Sequence, residues 1–231
     1  DFISPRFAVA AVMAALEHRR RTGRGQRIDM SQTESAMQFL GPALMDAAVN
    51  GAVYQRRGNM DPLACPHGAY SCAGEDRWCV IAVFNDHHWR SLREAMGDPP
   101  WAGSPEYATA MSRKTHEEAL DDLISKWTRG RSPEEVMEVL QKKGVPSGVV
   151  HSSEGLYGDL QLKHRGHFVA IEHPEMGIHH YDGYSFTLSR TPGQIRSPAP
   201  LMGQHNELVL RDILGLGEEE IGDLAEVGAL E

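Results

Sequence analysis

The sequence has 231 residues, 41% of them hydrophobic and 24% charged, an ordinary globular balance with chain enough for one large domain or two small ones. With 23 Lys and Arg against 32 Asp and Glu, the formal net charge is −9, which argues against a general nucleic-acid or anionic-membrane partner. The longest apolar run, Phe7 to Leu16, is about half of the ~20 residues that a bilayer span requires, and no basic leader with a cleavage site opens the chain, so a core helix is expected there rather than an anchor.

In chain order, Ser4 reads as the N-cap of a first helix, with Pro5 at its first position. This helix is apolar all round from Phe7 to Leu16, so it should be enclosed by other elements. It ends in Arg19, Arg20 and Arg21, cations suited to a helix C-terminus, and then in the turn Thr22-Gly23-Arg24-Gly25-Gln26. Ser31-Gln32-Thr33-Glu34 is a capping box for a second helix, expected to run unbroken to about Val49. A turn-rich loop from Gly51 to His67 follows. Two strands, Gly68–Cys72 and Trp78–Val83, should then form a hairpin.

Asp86 reads as the cap of a helix reaching Met96. Thr115-His116-Glu117-Glu118 and Ser132-Pro133-Glu134-Glu135 read as capping boxes of two more helices, ending near Gly130 and Gly144. Val145 to His151 is expected to be a third strand beside the hairpin. Beyond Leu160 the pattern is turn-rich, with strands expected at His167–Glu172 and Tyr184–Leu188. Helical stretches after Asn206 and from Glu218 to Val227 close the chain.

Four phrases stand out. The first is Asp1, followed by the apolar helix ending Ala14-Ala15-Leu16, Arg19, and Thr22-Gly23-Arg24-Gly25-Gln26. The second is Arg57-Gly58-Asn59 with Pro66-His67-Gly68 and Tyr70. The third is Gly144-Val145-Pro146-Ser147-Gly148-Val149, and the fourth is Pro200-Leu201-Met202-Gly203-Gln204-His205. In this order they resemble the class III CoA-transferase family, which includes formyl-CoA:oxalate and crotonobetainyl-CoA:carnitine CoA-transferases and the α-methylacyl-CoA racemases. The resemblance begins at the family's catalytic Asp. It therefore implies that an amino-terminal Rossmann-like half, which supplies most CoA contacts, lies outside this sequence. The chain does not open on Met, so it is read as cut or as part of a longer protein. Formyl-CoA transferases carry a run of glycines over the active site. The matching stretch, Gly58 to Gly68, has none, which leaves oxalate or formate specificity unassigned. Gln204 stands where Glu is more usual.

The resemblance implies an α/β fold. Residues 1–50 would be helices of, or leaving, the large domain. Residues 51–159 would be a small α+β domain around a three-stranded antiparallel sheet, and residues 160–231 would return to the large domain. It also implies an intertwined homodimer and a CoA thioester and a carboxylic acid as substrates, with no permanently bound cofactor. Asp1 becomes the nucleophile: its carboxylate attacks the thioester and ends as an aspartyl-CoA thioester. A helix N-terminus three residues on would keep that carboxylate ionised, so activation would come from desolvation and positioning. The plain reading of Asp1 is a frayed, solvated terminal residue. Two rivals stay open: a racemase in which the Asp is an acid/base at the α-carbon, and a fragment or assembly subunit that needs a partner chain.

The remaining candidates read more plainly. Five arginines between His18 and Arg27 suit a solvated helix end better than a phosphate grip, and no P-loop lysine follows the glycines. The twelve histidines show no metal-ligand spacing, so no metal site is assigned. Cys65, Cys72 and Cys79 fit no zinc or redox motif. They are read as packing residues in a reducing cytoplasm, Cys72 and Cys79 facing each other across the hairpin. Gly58 to Gly68 is either an active-site loop, as in the family, or a plain surface loop.

Overall fold

The computed structural model describes residues 2–230. The chain divides into two compact units, residues 1–62 and 63–231.

The first unit is helical. Helix α1 (Ser4–Thr22) closes on Gly23, whose φ of 73° lets its N–H reach the carbonyl of Arg19 at 2.8 Å. Its N-cap is Ile3, one residue earlier than the sequence suggests. Ser4 lies inside the helix, where its hydroxyl donates to the Gln32 carbonyl at 3.0 Å. The expected enclosure of α1 is not met among the described residues: only Ser4 of this helix is buried, and Val9 and Met13 are 63% and 60% exposed.

The single helix expected from residue 31 to 49 is broken. Ser31 caps α2 (Gln32–Met37), accepting from the Glu34 N–H at 3.2 Å. A 3-10 turn at Gln38–Leu40 precedes α3 (Gly41–Asn50). Pro42 has no N–H to continue the ladder and its ring crowds the preceding turn, so the helix restarts with Pro in its first turn. Phe7 meets Phe39 edge to face at 6.1 Å.

The second unit contains a three-stranded antiparallel sheet in the order β1 (His67–Ser71), β2 (Trp78–Ala82), β3 (Ser147–Val150). Its register pairs Tyr70 with Cys79 and Cys79 with Val149. The third strand pairs where the sequence predicts. One face of the sheet buries Tyr70, Cys79 and Ile81, while Trp78 and Val80 on the other are exposed. Against the buried face pack α4 (Asp86–Ala95), α6 (Glu117–Thr128) and α7 (Pro133–Lys142), through Trp89, Leu92, Leu120, Ile124, Val136 and Leu140.

The caps explain where these helices begin. Asn85, not Asp86, caps α4, its Oδ1 accepting from the His88 N–H at 2.8 Å. Ser132 and Glu135 form the expected capping box of α7. The box expected at Thr115 is not made, because that hydroxyl donates back to the Met111 carbonyl at 3.2 Å and ends α5 (Ala110–Thr115), a helix the sequence reading missed. The box there is Thr109 with Ser112.

Beyond β3 come α8 (Ser153–Gly158), α9 (Leu160–Arg165) and a hairpin of β4 (Phe168–His173) with β5 (Gly177–Asp182). The strand expected at Tyr184–Leu188 is not formed. β4 instead finds its partner across three residues, and His173 Nδ1 accepts from the N–H groups of Glu175 and Met176 at 3.2 and 3.3 Å to close that turn. Gly183 ends the pairing, its N–H donating to the His167 carbonyl at 2.6 Å. A Cβ there would lie 2.7 Å from that oxygen, so only glycine fits. The helix expected after Asn206 is a π-helical turn, Leu208–Ile213, in which the Leu214 N–H reaches back five residues to Val209. The terminal helix, α10 (Glu218–Glu226), forms as predicted.

Candidate functional site

Asp1, the residue to which the sequence assigns the nucleophile, lies outside the described residues. The residues that follow it in sequence are described. The start of α1 has no acidic residue in its first turn and no side-chain cap, so its leading N–H groups keep their partial positive charge. A carboxylate would be favoured there. Within the same unit, a cleft of about 300 Å³ lies against Phe7, Met30, Ser31, Glu34, Ser35 and Gln38.

In the second unit, the entry to β1 gathers chemistry-bearing side chains. The half-buried His67 meets Phe84 edge to face at 6.0 Å, and Phe84 meets His88 at 6.2 Å. The Phe84 N–H donates to His88 Nδ1 at 3.4 Å, which aims that imidazole back along the end of β2. Behind this edge the strand entry is anchored: Cys65 N–H donates to the Val83 carbonyl at 3.0 Å, and Val83 N–H to the Pro66 carbonyl at 2.8 Å.

Two buried polar groups reinforce the anchor. Arg113 is 1% exposed. Its Nε donates to the Cys65 carbonyl at 3.0 Å, its Nη1 to the Tyr107 carbonyl at 3.1 Å and its Nη2 to Asp86 Oδ1 at 2.9 Å, with the guanidinium 5.2 Å from the centre of the Trp89 ring. Tyr70, 2% exposed, donates its hydroxyl to Asp121 Oδ1 at 2.6 Å. Burial pushes the Tyr70 hydroxyl far above its ordinary range, with the Asp121 charge adding to the shift. Burial also raises Asp121, against the lowering effect of the Tyr70 hydrogen bond. Sequence reasoning missed Arg113 and Asp121, since neither belongs to a motif and their partners are 48 and 51 residues away.

The other sequence candidates resolve in various ways. Cys72 and Cys79 are not opposite each other: Cys79 pairs with Tyr70 across the hairpin, Cys72 Sγ donates to the Tyr70 carbonyl at 3.7 Å, and both thiols are buried. Burial raises both thiols and pushes Cys65 up to about 12, so none is a ready nucleophile. Arg19, Arg20 and Arg21 are exposed at the end of α1, with Arg20 paired to Glu17 at 3.0 Å. The third phrase is architectural: Gly144 turns the chain at a φ of 74°, Val145 is buried, and the Pro146 carbonyl accepts from Ala82. In the fourth, Gln204 Oε1 accepts from the Leu201 N–H at 2.8 Å, closing a turn. Among the described residues no group of three or more His, Cys, Asp or Glu is placed to hold a metal ion, and no helix is long and apolar enough to cross a membrane.

The sequence pattern of CoA-transferase family III matches residues 1–206. The chain is 30% identical to the succinyl-CoA–D-citramalate CoA-transferase of Chloroflexus aurantiacus over 97% of its own length and 56% of the relative's. It is also 30% identical to the succinyl-CoA–L-malate CoA-transferase beta subunit of the same organism, with the same coverage of 97% and 56%. Its fold is similar to that of a CAIB/BAIF family protein from Brucella suis, with a TM-score of 0.78 and 25% identity over 91% of this chain and 54% of the other. The chain thus spans about half the length of the relatives it matches. The four phrases that carried the resemblance all lie within, or end at the edge of, the matched residues, and this chain belongs to CoA-transferase family III.

Proposed function

We propose that this chain carries the nucleophile of an enzyme that moves CoA from an acyl-CoA thioester to a carboxylic acid, and that Asp1 is that nucleophile. The observation that supports it most is the family match over residues 1–206, which holds Asp1 and the four phrases in order. The Asp1 carboxylate adds to the thioester carbonyl and expels CoA thiolate, leaving a mixed anhydride. The thiolate attacks the aspartyl carbonyl of that anhydride, releasing the donor acid and forming aspartyl-CoA. The acceptor carboxylate repeats both steps in reverse order and leaves as the new thioester. The uncapped first turn of α1 favours the ionised carboxylate this route begins from.

On this reading, residues 1–50 belong to or leave a large Rossmann-like domain, residues 51–159 form the small α+β domain, and residues 160–231 return to the large one. The segment Gly58 to Gly68 is the loop over the acyl group. The working enzyme is a cytoplasmic, intertwined homodimer. A second reading, a subunit that works with a separate chain, draws on the relative named as a beta subunit.

The test is intact mass of the native protein after incubation with succinyl-CoA. A CoA adduct that hydroxylamine removes, and that Asp1→Asn abolishes, is expected. Exchange of the donor's α-proton without any adduct would point to the racemase chemistry and sink the proposal. An adduct seen only after adding a co-purified chain would favour the subunit reading.

A further inference from the structure

The entry to β1 is held at two points close together in sequence, Cys65 and Gly68, and the residues between them are Pro66 and His67. On one side the Arg113 guanidinium takes the Cys65 carbonyl and is itself anchored on Tyr107 and Asp86. On the other, Gly68 lies over the Tyr70 ring so closely that a Cβ would stand 3.1 Å from the hydroxyl, and Asp121 holds that hydroxyl in place. Moving the Cys65 backbone breaks the buried Arg113 hydrogen bond, and moving Gly68 toward the core brings it against the held Tyr70 ring. Such contacts are costly to break, because neither group finds water in their place.

Cys65 and Pro66 are buried, and the chain comes half out of the core only at His67, the first residue of β1. Here a fully buried arginine, which spends three donors on two carbonyls and one carboxylate, fixes a short stretch that then presents an imidazole at the molecular edge beside Phe84.

We infer that Arg113 and the Tyr70–Asp121 pair are positioning residues for the transfer reaction: together they set the backbone of Pro66-His67-Gly68, the end of the segment read as the active-site loop. The inference rests on the reading of Gly58 to Gly68 as the active-site loop. Neither group touches substrate. A displacement of about 1 Å at a residue that orients substrate costs about a hundredfold in rate, so the grip has kinetic consequences out of proportion to its distance from the chemistry.

The experiment compares the native protein with Arg113→Lys, Arg113→Met and Tyr70→Phe by amide hydrogen exchange and by transfer from succinyl-CoA to L-malate. Exchange at residues 65–68 should rise about tenfold or more in Arg113→Met and Tyr70→Phe, while the β4–β5 hairpin keeps its native rate. The kcat should fall about tenfold to a hundredfold with the KM for the thioester within about twofold of native, and Arg113→Lys should recover part of the loss. If Arg113→Met does not fold, Tyr70→Phe carries the same test with one hydroxyl removed. Unchanged exchange at residues 65–68 overturns the grip. Raised exchange with unchanged kcat leaves the grip standing but overturns its positioning role, and the active-site reading of the loop with it. Absence of transfer in the unsubstituted protein overturns the functional reading, while the exchange data still decide the grip.

Discussion

Replacing Tyr70 with Phe removes one oxygen from the second unit and leaves the ring in place, so the cost is that of one hydrogen bond. The hydroxyl donates to Asp121 at 2.6 Å, and hydrogen bonds to ionised groups contribute about 1.5–3 kcal/mol. The loss should depend on pH. Asp121 is raised above its ordinary 3.8 by burial, and the Tyr70 bond opposes that rise. A carboxylate raised in the folded state contributes stability that is present below its unfolded value and lost as pH rises through the folded value. Without the hydroxyl the folded value climbs further, so more stability is lost on the way to neutral pH. The difference between native and Tyr70→Phe should therefore be smallest at acid pH, below the folded value of Asp121, and grow to about 2 kcal/mol at about pH 8. All four tryptophans, Trp78, Trp89, Trp101 and Trp127, belong to the second unit, so their fluorescence in a urea titration reports that unit selectively. With a urea slope of about 2 kcal/mol per molar, the midpoint at pH 8 should fall by about 1 M. Equal shifts at both pH values would refute the assignment of an ionised, half-buried Asp121 as the acceptor.

The other expectations are read by simpler assays. Gly183→Ala should cost about 1–3 kcal/mol in urea unfolding, because the added Cβ would meet the His167 carbonyl at 2.7 Å; a neutral outcome would mean that the hairpin end can shift. Iodoacetamide at about pH 8 should label Cys65 and Cys79 at least about a hundredfold more slowly in the folded protein than in urea, since burial raises both thiols. Rapid labelling would show that the hairpin opens on its own. Asp1→Asn should abolish the CoA adduct while leaving the urea midpoint unchanged, and loss of both would mark a structural role.

How far the sequence could be read depended on the distance between a residue and its partner. Ser132 and Glu135 are three apart, so the capping box of α7 was legible. The sheet was legible too, because alternation at Tyr70, Cys79 and Ile81 exposes its buried face. The break at Pro42 was missed although its cause is local, since the apolar spacing continues through it. The misplaced strand at Tyr184–Leu188 has a different cause. It alternates well, but β5, with His179 and His180 in its middle, is joined to β4 by a turn that closes after three residues, and that short loop decided the pairing.

The sequence by itself determined the family, through four short phrases in order, and placed the carboxylate Asp1 at the head of the first of them. It also determined the antiparallel three-stranded sheet and the caps of several helices. Only the tertiary structure decided what holds the entry to β1. The Arg113 guanidinium and the Cys65 carbonyl are 48 residues apart, and Tyr70 and Asp121 are 51 apart. Periodicity and capping are rules of neighbouring turns, whereas a buried ionic contact requires a partner that the fold alone brings within reach.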